Sequence, residues 1–359
     1  MTSDNLHQKG DFIANRYEIV SYVDQGGMQE VYLAFDRVIK REVALKVPFN
    51  SSATKRFARS ARMSAKVNHP NVAKTLDYFE TDKHQYLIEE FIQGKNLKDG
   101  LLQRTNFVDP YLTAKILHYL AKGIAVAHEA GVVHRDLKPS NVMSTDDFNL
   151  TEIKITDFGI AKMAEEEMAE ATAEGESSLS TSKTAIGALP YMSPEMIEDS
   201  HAAGKESDIW SLGAMVYEIV SGEKPFGFGL KAVKKILDAE LPSKPTYLEN
   251  KIQFKFLGDE LFNVILSCLQ KNPKDRPTAN ELVKVCETFC YPVISRKIGE
   301  FIEHPKPTYG FIRDDNGQKT FFHFDSVYGR SPQLGDKVSF SAFPGSPYPR
   351  AHPVIVINK

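Results

Sequence analysis

The sequence predicts an α+β fold, two lobes followed by a small all-β barrel, and three observations carry that expectation. Up to about residue 90, short runs of β-branched and aromatic residues alternate with turn signals, as antiparallel strands do. From Tyr111 onward, apolar residues recur at helical spacing. After Tyr291-Pro292 that spacing gives way to Gly, Pro and alternating aromatics, the pattern of short strands joined by tight turns. A chain of 359 residues, 42% of them hydrophobic, can bury the cores of two or three domains. Its formal charge of −3 sets up no overall field toward nucleic acid or membrane, so any such partner must be met by a local patch.

Taken in order, residues 1–11 read as a tail, because Met1 to Gly10 is polar and lacks the apolar core of a secretory signal. Nowhere do about 18 apolar residues run on, so no membrane contact is expected and the chain is placed in the cytoplasm. Strands are expected at Tyr17–Val23, Val31–Asp36, Glu42–Val47, Val72–Glu80 and Gln85–Glu90. A helical pattern from Phe57 to Val67 interrupts them and stops before His69-Pro70-Asn71, where proline pushes the preceding residue out of helical backbone. Further helices are expected at Tyr111–Ala130, Glu206–Ser221, Leu230–Ala239, Asp259–Gln270 and Thr278–Phe289. Between Ala161 and Thr184 the chain is acidic and then rich in Ser and Thr, too polar to build a core. Cys268, Cys286 and Cys290 lack zinc-ligand spacing and are too few for a disulfide framework, so they read as reduced packing residues. The expected division is residues 12–291 for the two lobes, 292–303 for a linker and 304–359 for the barrel.

The chemistry is concentrated in His134-Arg135-Asp136-Leu137-Lys138-Pro139-Ser140-Asn141 and in Asp157-Phe158-Gly159. Phosphoryl transfer needs a carboxylate to accept a hydroxyl proton, which Asp136 offers, and oxygen ligands for magnesium, which Asn141 and Asp157 offer. The two strings resemble the catalytic loop and metal-binding loop of protein kinases, and the resemblance runs from about Tyr17 to about Tyr291. It implies the two-lobed kinase fold, ATP and magnesium as cofactors, protein substrates, and serine/threonine specificity marked by Lys138, which would neutralise the transferred phosphoryl group. It implies that Lys46, in Val43-Ala44-Leu45-Lys46, holds the nucleotide phosphates, with Gly26, Val31, Ala44, Glu89, Glu90 and Met143 lining the nucleotide pocket. Glu195 should pair with Arg276, and Asp208 should hold the catalytic-loop backbone. The segment before Ser193-Pro194-Glu195 resembles an activation loop, whose hydroxyls Ser177, Ser178, Ser180, Thr181, Ser182 and Thr184 would be phosphorylation sites, with Arg135 as a phosphate partner.

Several positions depart from the family pattern. Asp24 and Gln29 stand where the first and third glycines of the phosphate-covering turn are expected, Ser60 where the helix glutamate that pairs with the strand lysine belongs, and Ser64 at an apolar position one turn later. Ala188 replaces a threonine. These changes raise an alternative, a pseudokinase scaffold or nucleic-acid-binding regulator with little phosphotransfer. Glu89, in Tyr86-Leu87-Ile88-Glu89-Glu90-Phe91, takes a place where an apolar residue is usual; one expectation is that it replaces the lost glutamate as counter-ion to Lys46, since a buried unpaired carboxylate is costly, and the other is that the register is shifted and Glu89 is solvated.

In the last part of the chain, Tyr309-Gly310-Phe311-Ile312, Phe321-Phe322-His323-Phe324 and Leu334-Gly335-Asp336-Lys337-Val338 resemble the cold-shock domain, an OB-type barrel. The resemblance implies single-stranded RNA or DNA as a partner, stacked on Tyr309, Phe311, Phe321, His323 and Phe324. Seven Lys or Arg against four Asp from His304 to Lys359 permit such a partner; a barrel docked on the rest of the chain is the competing expectation.

Overall fold

The structure, a computed structural model, describes residues 5–25, 29–48, 57–58, 61–146, 148–158, 187–199, 202–229, 231–291 and 294–358. In the first lobe, β1 (Phe12–Ile13), β2 (Tyr17–Gln25), β3 (Gln29–Asp36), β4 (Arg41–Pro48), β5 (Thr75–Glu80) and β6 (Gln85–Glu90) form one antiparallel sheet in the order β1-β2-β3-β4-β6-β5. Alternation along the strands sends Tyr32, Ala34, Val43, Leu45, Val47, Tyr86 and Ile88 to one face, where they pack with Ile13, Tyr17 and Ile19. The opposite face carries the cross-strand partners Val31↔Lys46, Leu33↔Ala44, Ala44↔Glu89 and Lys46↔Leu87. Residues 57–58 and 61–64 are helical, and Phe57 and Ala61 pack against Leu87 of that face. Part of the expected tail is joined to the sheet: Gly10 N donates to Ile19 O, Leu6 N to Glu30 and His7 N to the Tyr32 hydroxyl.

The second lobe contains α1 (Pro110–Glu129), α2 (Pro194–Glu198), α3 (Lys205–Ser221), α4 (Lys231–Leu237), α5 (Thr246–Asn250), α6 (Ile252–Cys268) and α7 (Ala279–Thr288). Asp109 caps α1 by accepting from Tyr111 N and Leu112 N, with Pro110 at the first helical position, where no amide hydrogen is needed. A capping box of Thr278 and Glu281 starts α7. Helix α6 begins at Ile252 rather than at the expected Asp259, because Gly258 reads as a breaker; here it lets the helix lie close against Leu248. Three short strands, β7 (Lys95–Asn96), β8 (Val142–Ser144) and β9 (Ile153–Ile155), form a second sheet at the edge of this lobe. The main core joins α1, α3 and α6 to Leu137, Val142, Ile155 and Phe158 around a fully buried Trp210.

The last part is a closed barrel of β10 (Arg296–Lys306), β11 (Tyr309–Asp314), β12 (Lys319–His323), β13 (Lys337–Phe343) and β14 (Arg350–Val356), ordered β10-β11-β12-β14-β13. Only the β12–β14 contact is parallel among these pairs. One boundary is corrected: residues 296–303, expected as linker, are most of β10, which pairs with both β11 and β13. Its charges, Arg296, Lys297, Glu300 and Glu303, hid the alternation, and Gly299 contributes no side chain where the strand closes on Ile312 and Arg313.

The barrel is seated on the second lobe. Tyr328 is fully buried within the main core, its hydroxyl donating to Val220 O at 2.8 Å and its ring flanked by Phe107, Tyr247 and Phe254. Arg296 forms an ion pair at 2.8 Å with Asp109, the buried cap of α1. Among the described residues, no helix is long and apolar enough to cross a membrane.

Candidate active site

The loop between α1 and β8 is held from beneath. Asp208, fully buried in the first turn of α3, accepts from His134 N at 2.8 Å and Arg135 N at 2.7 Å, and lies 2.9 Å from His128 Nε2. These bonds offset the left-handed backbone of Arg135, φ +69°. The His134 ring, also fully buried, reaches Thr156 O at 2.8 Å and meets Phe158 edge-on, so the two strings singled out in the sequence lock onto each other. The loop thereby presents Asp136. Lys138 Nζ donates to both of its carboxylate oxygens, at 2.9 and 2.7 Å. Asn141 Nδ2 donates to the Asp136 carbonyl at 2.8 Å and to Oδ2 at 2.9 Å.

Above this loop, Lys46 Nζ stands between two carboxylates, 2.6 Å from Glu89 Oε2 and 2.8 Å from Asp157 Oδ1. Burial works against the charge on Lys46, but Asp157 and Glu89 together hold its pKa above the ordinary lysine value. Burial pushes the Glu89 carboxyl up against the pull of Lys46, whereas for Asp157 the charge and hydrogen bond of Lys46 overcome burial and hold the carboxyl down. Gln29 Nε2 also donates to Asp157 Oδ1, at 2.9 Å, so the residue that replaces a glycine points into the site. Ser64 Oγ donates to Phe158 O at 3.0 Å, tying the helical segment to the Asp157-Phe158 loop through a buried polar bond where an apolar contact was expected.

Of the other expected pocket residues, Val31 and Ala44 share the face that carries Lys46, and Met143 is partly buried on β8 opposite Lys154. Glu90 turns its carboxylate to Lys154, at 2.7 Å, and to Lys74 N, at 2.8 Å, and its own N–H donates to Lys74 O at 2.9 Å. Gly26, Ser60 and the hydroxyls Ser177, Ser178, Ser180, Thr181, Ser182 and Thr184 lie outside the described residues. The donor set suits magnesium and a nucleotide. Asn141 turns its amide nitrogen to Asp136 and so keeps its amide oxygen for a hard cation, while Asp157 has about a quarter of its side chain accessible. Gln29 Oε1 is buried and has no partner among the described residues.

The protein kinase domain family model matches residues 17–286. The chain belongs to the protein kinase family. It is 32% identical over 284 residues to a probable serine/threonine-protein kinase of Clostridium perfringens (strain 13 / Type A), covering 76% of this chain and 38% of that relative. It is 32% identical over 275 residues to the serine/threonine-protein kinase PrkC of Bacillus subtilis (strain 168), covering 74% of this chain and 39% of PrkC. The chain therefore spans about two fifths of the length of these curated relatives. Among solved structures, Rad53 1-466 in complex with AMP-PNP superposes with a TM-score of 0.58 at 25% identity, over 75% of this chain and 64% of that one.

In this kinase domain the expected structural pair is formed. The Arg276 guanidinium grips both oxygens of Glu195, at 2.6 and 2.9 Å, lies over the Trp210 ring at 5.0 Å, and donates to the carbonyls of Gln270, Glu206 and Lys271. Ala188, expected as a lost hydroxyl, presents a buried methyl. On the barrel appended to the kinase domain, Tyr309, Phe311, Phe321 and His323 share the outer face of β11 and β12 and are partly exposed. Phe324 stands apart from that face: it opens the 3-10 turn after β12, partly buried beside Phe301, His304 and Phe322. Sequence reasoning missed Tyr348, which closes the outer cluster against Phe311, and Lys319, whose ammonium lies 4.1 Å over the Phe311 ring. The aromatic content of the β13–β14 connection was the available signal.

Proposed function

We propose that this chain is a serine/threonine protein kinase that transfers the γ-phosphoryl group of ATP to protein hydroxyls. The observation that carries this reading is the single constellation of Asp136, Lys138, Asn141, Asp157 and Lys46, each bonded to another member within 3 Å. Asp157 joins Lys46 of the first lobe to it, and the His134–Thr156 bond ties the loop of Asp136 to that of Asp157. Asp136 orients the substrate hydroxyl and takes its proton as the oxygen attacks phosphorus. Lys138, already on that carboxylate, meets the negative charge that grows on the transferred group. Asn141 and Asp157 hold magnesium, which when bound screens the phosphate oxygens, and Lys46 orients the phosphates, so the gain is one of positioning and electrostatics. Ser177, Ser178, Ser180, Thr181, Ser182 and Thr184 are the sites at which the chain would phosphorylate itself.

Phosphate transfer from labelled ATP, wild type beside Asp136→Ala, tests the proposal. Loss of the base lowers the rate by about 10²–10⁴-fold. A wild type that transfers nothing, to itself or to a generic protein substrate, would instead support the scaffold reading.

A second activity is favoured by one observation, the outer aromatic cluster of the barrel with Lys319 over it. Stacking on rings is tolerant of base identity, and Arg313 stands at the end of the cluster to meet phosphates, opposite Lys319, whose ammonium is paired with Glu303 at 2.7 Å. Binding of a short single strand should weaken with salt, and Phe321→Ala should remove about 1–3 kcal/mol of it. Equal binding by the variant would retire this activity and leave the barrel as a docked structural module.

A further inference from the structure

We infer that Glu89 is the positioning residue for Lys46, and that it does from within the sheet what a helix glutamate does elsewhere in the family, so that the pair stays formed whatever the helical residues 57–58 and 61–64 do. The inference rests on the kinase reading above and adds how its phosphate-binding lysine is controlled.

Three observations carry it. First, the helical segment has no acid to offer. Between Glu42 and Asp77 the sequence contains no Asp or Glu, and it is instead basic, with Lys55, Arg56, Arg59, Arg62 and Lys66. No shift of register along that segment can supply a carboxylate. Second, Glu89 and Lys46 sit on hydrogen-bonded neighbours, β6 and β4, whose partners Ala44↔Glu89 and Lys46↔Leu87 place the two side chains diagonally on one face. The contact is 2.6 Å and both side chains are about 95% buried. A sheet register is fixed by every rung of its ladder, whereas a helix packed on a sheet can slide or rotate. Third, Lys46 has a second carboxylate, Asp157, which the metal requires. With Glu89 in place, Asp157 can turn to magnesium while Lys46 keeps a partner. Without Glu89, magnesium must take Asp157 from a buried lysine that has no other carboxylate among the described residues.

The helical segment communicates with the metal loop by other means. Ser64 donates to Phe158 O, a neutral bond that can be made or broken without exposing a buried charge. Many kinases are switched by a helix that brings or withdraws the glutamate partner of the strand lysine. Here that switch has no electrostatic handle on Lys46.

The experiment is a magnesium titration of the binding of a fluorescent N-methylanthraniloyl ATP by the full chain, in wild type, Glu89→Gln, Glu89→Leu and Arg62→Gly, with a thermal melt of each. In Glu89→Gln the half-saturating magnesium concentration should rise about tenfold, the equivalent of one pK unit of coupling. Glu89→Leu, which restores the apolar residue usual at this place, should give the same rise if the glutamine variant does not fold. Arg62→Gly, which loosens the helical segment, should leave the magnesium demand unchanged. An unchanged demand in a folded Glu89 variant overturns the inference, as does a comparable rise in Arg62→Gly. A wild type that binds no nucleotide at any magnesium concentration ends the kinase reading and this inference together; a wild type that binds, beside Glu89 variants that match it, ends this inference alone.

Discussion

Two arginines and a lysine show how this chain pairs its buried cations. Lys46 has two carboxylates, Arg296 has Asp109, and Arg276 has Glu195 together with three backbone carbonyls. In the last case burial would raise the Glu195 carboxyl, but the hydrogen bonds and charge of Arg276 outweigh it and hold the pKa below the ordinary value. Arg276→Ala leaves that carboxylate half in the protein without its partner, strips donors from three carbonyls and uncovers Trp210, so the expected loss of stability is about 3–5 kcal/mol. Arg276→Lys should recover little of it, because a point charge cannot span both oxygens and the carbonyls that a planar fork reaches. Urea unfolding of the three proteins checks this; a loss below about 1 kcal/mol would mean that the pair is as weak as an exposed one.

Elements were legible wherever a side chain reports its own surroundings. Alternation in β2, β3 and β4 and the Asp109-Pro110 start of α1 announce themselves locally, because burial on one face or a helix cap needs only neighbouring residues. The same held for Glu89: a carboxylate inside an apolar strand demands a cation, and Lys46 was the one a kinase-like sheet would bring near. What stayed hidden depends on distant partners or on missing signals. Gln29 finds Asp157 across 128 residues and Ser64 finds Phe158 across 94, and neither side chain carries a mark of its acceptor. β10 was concealed by its charges and by Gly299, α6 by Gly258, and β7 to β9 are too short to show a period. The barrel's outer aromatics were legible as a set, but the turn that begins at Phe324 and takes it out of the strand was not, because no glycine or proline marks it.

At the scale of the molecule, the barrel and the second lobe are built around shared contacts, and these were beyond the sequence because they join segments more than seventy residues apart. Gly329, beside Tyr328, shows how close the approach is: a Cβ there would stand 2.1 Å from the Phe107 ring. His352 of β14 lies in the same seam, stacked on Phe254 at 5.2 Å and 3.1 Å from the Tyr111 hydroxyl. Burial lowers its pKa from the ordinary 6.5, Arg296 adds to that effect, and Asp109 opposes it without prevailing. Above pH 6.5 the imidazole is neutral whether the barrel is docked or free, and docking carries no proton cost. As the pH falls through that value the freed barrel takes up a proton that the docked one refuses, so the seam weakens progressively until the lowered pKa of the docked state is reached. Other histidines here, His7, His69 and His118, are shifted the same way, so the fall in overall stability with pH is not by itself diagnostic. The diagnostic comparison is wild type against His352→Gln, unfolded in urea at pH 7.5 and at pH 5.5. The variant, which cannot take up that proton, should lose less stability between the two conditions, and limited proteolysis near residue 294 should accelerate at the lower pH in wild type only. Equal losses in the two proteins would mean that the seam takes no part in the pH response.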